Sequence, residues 1–180
     1  MKIAAVVVTF NRKRIFSEKN IEALLAQVNA PMDILIIDNA STDGTEETIR
    51  HYMDAGQILY ENTGENLGAP AALTFGIRRA YEAGYDAIWI MDDDTYPHPD
   101  ALEKFLQADK DLNGMYGYLA GKVLWKDGSW CEMNTPKYKG GIGRRQVQTD
   151  RTVFFCIYVY SAQICGNLRI TDQGILYLGR

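Results

Sequence analysis

The sequence carries no excess of positive charge. Nineteen lysines and arginines against 23 aspartates and glutamates leave a net charge of −4 across 180 residues. Such a chain does not neutralise phosphate on a large scale, which excludes nucleic acid as its main partner. Cysteine is scarce: Cys131, Cys156 and Cys165 are an odd number without metal-ligand spacing, which fits unpaired thiols in a reducing compartment. Long hydrophobic runs are missing as well. Ile3–Val8, just behind Met1, is too short for the architecture of a signal peptide. Val153–Tyr160 falls far below the roughly 18 residues of a membrane span. The expectation is a cytoplasmic chain without a transmembrane segment, at most peripheral at the inner membrane face. There is no internal repeat and no linker, and 47% hydrophobic residues suit one soluble domain with a fair core.

What the chain does have is an acidic triplet directly behind an apolar run. Ala87–Thr95 reads Ala-Ile-Trp-Ile-Met-Asp-Asp-Asp-Thr. A short apolar run of this kind predicts a buried strand that ends at a charged rim, where α/β sheets bind ligands. If the triplet stays extended, Asp92 and Asp94 point to one side and Asp93 to the other. Their Cα atoms would then lie about 6–7 Å apart. Two such carboxylates can converge on a hard divalent cation, Mg²⁺ or Mn²⁺, shared with a substrate's phosphates. A solvated acidic turn ahead of a helix near Pro97 is the plainer alternative.

The rest of the chain alternates between the same two patterns. Lys2–Thr9 and Met32–Ile37 are continuous apolar runs, as expected of buried parallel strands. Ile21, Leu24, Leu25 and Val28 predict one face of a helix between them. Ser41–Gly44 is rich in capping residues, and a helix with the stripe Ile49, Tyr52 and Met53 follows, closed by Gly56. Ile58–Tyr60 reads as a short third strand and Glu61–Gly68 as a polar loop. Pro70 opens a helix whose inner face is Leu73, Gly76, Ile77 and Ala80, with Gly84 as its stop. After the Ala87 strand, Leu102, Phe105 and Leu106 turn a further helix inward. Four strand–helix alternations predict an α/β fold with a mostly parallel sheet flanked by helices. Beyond Gly114, Lys126-Asp127-Gly128 between two strand-like runs signals a β-hairpin region, and Lys137–Arg145 a basic, glycine-rich loop. From Arg151 onwards only Arg151, Arg169, Asp172 and Arg180 are charged. The expected division is therefore a domain over 1–150 and an atypical apolar tail over 151–180. The run Val153–Tyr160 is expected to pair with the sheet edge or with another copy of the chain, giving a homo-oligomer through the tail.

Four strand ends then fall at one rim: Val7–Arg12 (VVTFNR), Asp38–Thr45 (DNASTDGT), Glu65–Gly68 (ENLG) and Trp89–Asp94 (WIMDDD). In this order and spacing, over roughly the first 110 residues, they resemble the family 2 glycosyltransferases of the Rossmann-like GT-A fold. The rhamnosyl- and galactofuranosyltransferase-like members are the nearest in kind. The resemblance implies a metal-dependent, inverting transfer of a sugar from a UDP- or dTDP-linked donor. The implied acceptor is a glycan or a lipid-linked acceptor in cell-surface polysaccharide synthesis. It places Thr9, Asn11, Asp38, Asn66, Asp92 and Asp93 around the nucleotide sugar, with Asp38 accepting a hydrogen bond from the base. Asp92 and Asp94 become the metal ligands of a DXD motif, for Mn²⁺ or Mg²⁺.

The chain departs from the family pattern at two places. After Asn66 it reads Gly68-Ala69-Pro70-Ala71-Ala72, where near relatives are richer in glycine. An inverting transfer also needs a carboxylate to take the acceptor's proton. After Asp150 only Asp172 is on offer, so the general base stays unidentified. A truncated or frame-shifted product is one explanation, and a non-catalytic nucleotide-sugar-binding remnant is the alternative function. A receiver-type phosphorylation domain would want an acidic pair after the first strand, and a sugar nucleotidyltransferase a glycine-rich loop there. Thr9-Phe10-Asn11-Arg12 supplies neither.

Overall fold

A computed structural model describes residues 1–13, 18–28, 31–113, 118–121, 123–131, 156–160, 168–170 and 176–178. Four strands form the parallel part of the sheet: β1 (Ile3–Thr9), β2 (Asp33–Asp38), β3 (Leu59–Asn62) and β4 (Ala87–Asp92). Four helices connect and flank them: α1 (Glu18–Leu25), α2 (Thr45–Asp54), α3 (Ala69–Glu82) and α4 (Ala101–Leu112). Then come β5 (Leu119–Ala120), β6 (Cys156–Tyr160), β7 (Leu168–Ile170) and β8 (Leu176–Leu178). The main sheet runs β3-β2-β1-β4-β6-β5, and β7-β8 is a separate antiparallel pair. β6 runs antiparallel to both β4 and β5. The expected α/β class with a mostly parallel sheet is the observed one.

The continuous apolar runs are explained by burial on both faces of the sheet. Ala5, Val7, Ile34, Ile36, Trp89 and Met91 pack against α1, α2 and α4 through Ile21, Leu24, Ile49, Tyr52, Leu102 and Phe105. Their alternates Ala4, Val6, Leu35, Ile37, Ile88 and Ile90 pack against α3 through Ile77 and Ala80. The period of two thus divides each strand between two cores. Trp89 meets Phe105 edge-on, ring centres 5.7 Å apart. On the other face α3 approaches so closely that a Cβ on Gly76 would lie 2.6 Å from Val6 Cγ1 and 2.8 Å from Ile37 Cγ1.

Some boundaries differ from the pattern. α1 ends at Leu25, and both Leu25 and Val28 are exposed rather than buried. The reason is a competing partner: Val28 N–H donates to Pro99 O at 3.0 Å, drawing the chain toward the loop ahead of α4. Gln27, beside it, accepts from the Leu102 N–H at 3.0 Å and so caps α4 from outside. β3 starts one residue later than predicted and runs on to Asn62, because Asn62 pairs beside Asp38 at the end of β2. The hairpin around Lys126-Asp127-Gly128 is narrow. It holds a Leu124–Trp130 bridge and a Trp125 N–H to Ser129 O bond of 2.8 Å, while β5 pairs with β6 instead. Lys137–Arg145, Met133, Asp150, Val153–Phe155 and Asp172 lie outside the described residues. Among the described residues no helix is long and apolar enough to cross a membrane.

Candidate functional site at the carboxyl rim of the sheet

Parallel pairing brings the strand ends level. Thr9 pairs beside Asp38, Asp38 beside Asn62, and Val8 beside Asp92. The loops leaving β1 and β2 are then joined by hydrogen bonds. Asn11 N–H donates to Ser41 Oγ, and Thr42 N–H donates back to Asn11 Oδ1, both at 2.8 Å. Arg12 N–H reaches Thr45 Oγ1 at 3.1 Å, and Lys13 N–H reaches Asp43 Oδ2 at 2.9 Å. Asp43 also receives bonds from Thr45. Slight burial pushes its carboxyl up, but these donors outweigh it and hold the pKa below the usual value. Asn11 and Ala40 both sit at positive φ, 52° and 65°. Asparagine tolerates that region and alanine pays about 1–2 kcal/mol for it, so Ala40 marks a loop held by its surroundings.

The acidic triplet does not stay extended. β4 ends with Asp92, and the Thr95 N–H closes a turn onto Asp92 O at 3.2 Å. The turn nevertheless divides the carboxylates as alternation would. Asp92 and Asp94 are exposed, while Asp93 is buried. Asp93 accepts from Thr9 Oγ1 at 2.8 Å, and its Oδ2 lies 3.5 Å from Arg12 Nε. Desolvation raises the pKa of Asp93, opposed by the Thr9 bond and by the Arg12 charge. Asp92 is raised too, first by desolvation and then by the Asp94 charge, with Arg12 opposing.

The other predicted residues divide in the same manner. Thr9 is buried and its hydroxyl is engaged by Asp93. Asp38 is buried, and both its oxygens have protein donors: Ser41 N–H on Oδ1 and Tyr60 OH on Oδ2, each at 2.8 Å. The Ser41 bond folds the loop after β2 back onto the end of its strand. Asn11 and Asn66 are exposed at the rim. Thr9, Asp38 and Asp93 thus lie beneath the surface formed by Asn11, Asn66, Asp92 and Asp94.

Three residues fall inside the rim motifs but are not among the site residues the sequence singles out. Asn39 is buried, takes Thr9 O through its backbone N–H, donates through Nδ2 to Asn66 Oδ1, and accepts from Leu67 N–H. It fastens the Asn66 loop to two strand ends, and its place beside Asp38 was the only signal. Phe10 is 40% exposed, between Thr9 and Asn11. An exposed aromatic immediately after a strand end is a legible cue. Arg12 is the cation next to the triplet, which no spacing rule would have paired with residues 80 positions away.

The family model for glycosyl transferase family 2 matches residues 4–166. The chain belongs to this family. Galactofuranosyltransferase GlfT1 of Mycobacterium tuberculosis (strain CDC 1551 / Oshkosh) is 32% identical over 97 residues, covering 52% of this chain and 31% of the relative. Two solved structures share the fold. S. aureus TarS 1-349 in complex with UDP gives a TM-score of 0.60 at 18% identity, over 84% of this chain and 40% of that one. The mannosyltransferase PcManGT from Pyrobaculum calidifontis, in complex with GDP-Man and Mn²⁺, gives 0.59 at 22% identity, over 67% and 35%. The chain is a family 2 glycosyltransferase by resemblance, with the GT-A fold, and spans about a third of the curated relatives' length. The family match runs past residue 150 and through β6.

Whether the rim of this family 2 chain fits a divalent cation is decided by its donor set. Asp92 and Asp94 offer hard carboxylate oxygens, with no hydrogen-bond or ion-pair partner among the described residues. The Asp94 charge adds to desolvation in raising the pKa of Asp92. Among the described residues no third His, Cys, Asp or Glu joins them. A pair of carboxylates completed by substrate phosphate and water is the ordinary way of holding Mg²⁺ or Mn²⁺, so the residues fit.

Proposed function

We propose that this chain binds a nucleoside diphosphate sugar at the carboxyl rim of its sheet and takes part in metal-dependent, inverting glycosyl transfer. The donor is UDP- or dTDP-linked. The acceptor is a glycan or lipid-linked molecule in cell-surface polysaccharide synthesis, as the names of galactofuranosyltransferase and undecaprenyl-phosphate mannosyltransferase relatives suggest. One observation carries the reading. A turn fixed by Thr9 and Arg12 leaves Asp92 and Asp94 unpaired at the rim that also exposes Phe10, Asn11 and Asn66.

When bound there, the cation supplies Lewis-acid neutralisation of the charge that develops on the leaving diphosphate. The protein's own groups do the rest. Arg12 adds positive charge at the same rim, and Phe10 offers a flat face to the nucleobase. Asn66 keeps an amide nitrogen for the nucleoside, because Asn39 and the Gly68 N–H both bond its oxygen. Asp38 retains a free lone pair on each oxygen, through which it can accept from the base at the edge of the buried layer.

Calorimetry with UDP tests this directly. Binding should need Mn²⁺ or Mg²⁺, lose most of its heat in EDTA, and weaken at least about tenfold in Asp94→Ala. Undiminished UDP binding in EDTA would remove Asp94 from the site.

A further inference from the structure

The acidic turn is held at a second point, by a buried side chain of α1. Asn20, on α1, is completely buried. Its Nδ2 donates to the backbone carbonyl of Thr95, the residue that closes the Asp92–Thr95 turn, and lies 3.9 Å from Met91 Sδ. Ile21 and Leu24 on its own helix, and Met91, whose sulfur it meets, belong to one buried core. Among the described residues Asn20 Oδ1 and Thr95 Oγ1 are both buried without a hydrogen-bond partner. A hydrophobe at position 20 would remove one of these orphaned oxygens but would leave the Thr95 carbonyl without its Asn20 donor.

We propose that Asn20 is a positioning residue for the metal-binding carboxylates, fixing the far end of the turn that carries Asp94. The turn is then held on both sides. Thr9 and Arg12 hold Asp93 on one side, and Asn20 holds Thr95 on the other. Asp94 stands between these two anchors with its own carboxylate unengaged. A carboxylate fixed through its backbone loses little conformational freedom on meeting a cation, which is how supporting groups raise metal affinity. Asn20 touches neither substrate nor metal; it acts through Thr95.

The inference rests on the proposed metal site, and one experiment separates the two. Mn²⁺ is titrated calorimetrically into the full chain with saturating UDP, alongside thermal melts, for wild type, Asn20→Val, Asn20→Ser and Thr95→Val. Val removes the donor and the orphaned oxygen. Ser is too short to reach the Thr95 carbonyl, and serves should the valine variant not fold. Thr95→Val removes the other orphaned oxygen but leaves the carbonyl that Asn20 grips. Both Asn20 variants should lose about tenfold or more in Mn²⁺ affinity. The melts identify the variants that are folded at the titration temperature, and Thr95→Val should bind Mn²⁺ as wild type does. Wild-type affinity in the folded Asn20 variants would overturn the inference, as would an equal loss in Thr95→Val. An absence of Mn²⁺ binding in the wild type would instead overturn the proposed function.

Discussion

Asp92 and Asp93 are adjacent carboxyls that both hold their protons more tightly than usual, yet for use they are opposites. Asp93 is compensated by Thr9 and Arg12 beneath the rim, whereas Asp92 faces the charge of Asp94 at the surface. A carboxyl whose pKa is raised by folding contributes stability below its unfolded value, about 3.9, and loses it as pH rises through the folded value. The metal-free chain therefore carries a strained charge pair at neutral pH. Asp92→Asn should remove that strain. Without metal, it should melt at or a few degrees above wild type at neutral pH, with the gap closing as acid protonates Asp92 in the wild type. A lower melting point at neutral pH would show that the Asp92 charge is compensated by something else. Protons compete with the cation for the same oxygens. Mn²⁺ affinity of the wild type should thus decline on acidification at a pH above the ordinary carboxylate value, and titration across that range checks it. The opposing groups are Asp43, Asp100 and Asp127, whose lowered pKa values add stability above the unfolded value that is lost as pH falls. The Asp92→Asn comparison cancels their contribution.

At the scale of elements, strands and helices were legible wherever burial and periodicity agreed. The inner faces of α2, α3 and α4 are those the apolar stripes predict. Legibility failed where a tertiary hydrogen bond outbid the local pattern. Leu25 and Val28 continue the spacing of α1, but Pro99 O and Leu102 N–H offered partners that Val28 and Gln27 took instead. Removing that cap should be measurable: Gln27→Ala should cost about 0.5–2 kcal/mol, read from denaturant melts, because Leu102 loses its acceptor. Gly76 marks a different constraint, close approach of α3 to the sheet. Adding one methyl there meets Val6 and Ile37 below 3 Å, so Gly76→Ala should destabilise by about 1–3 kcal/mol despite alanine's better helix propensity. Stabilisation instead would mean that the α3–sheet contact yields easily.

At the scale of the whole molecule, the rim was readable because a parallel sheet sends every strand end to one side. Asp38, Asn66 and the triplet could be assigned to one edge without coordinates. Which of them face solvent could not, since that depends on contacts between distant loops: Thr9 with Asp93, Asn39 with Asn66, Asn20 with Thr95. The C-terminal part was legible by half: Val153–Tyr160 reads as a strand for the sheet edge or for another copy of the chain, and the sequence does not choose between them. In the fold, β6 inserts between β4 and β5, antiparallel to both. β4 is the strand that carries the acidic turn, so β6 closes what would be its open edge. A chain ending at Asp150 leaves the β4 backbone from Ala87 to Met91 without these partners. Unpaired, a central apolar strand of this kind is a template for association. The shortened chain should therefore melt lower than the full chain and form larger species in sedimentation velocity. Its Mn²⁺ binding should weaken with it, since the turn loses support on the β6 side. If the shortened chain instead keeps its melting point and sediments as a smaller, well-behaved monomer, β6 does not belong to this sheet in solution. The run Val153–Tyr160 would then be free to join copies of the chain to one another.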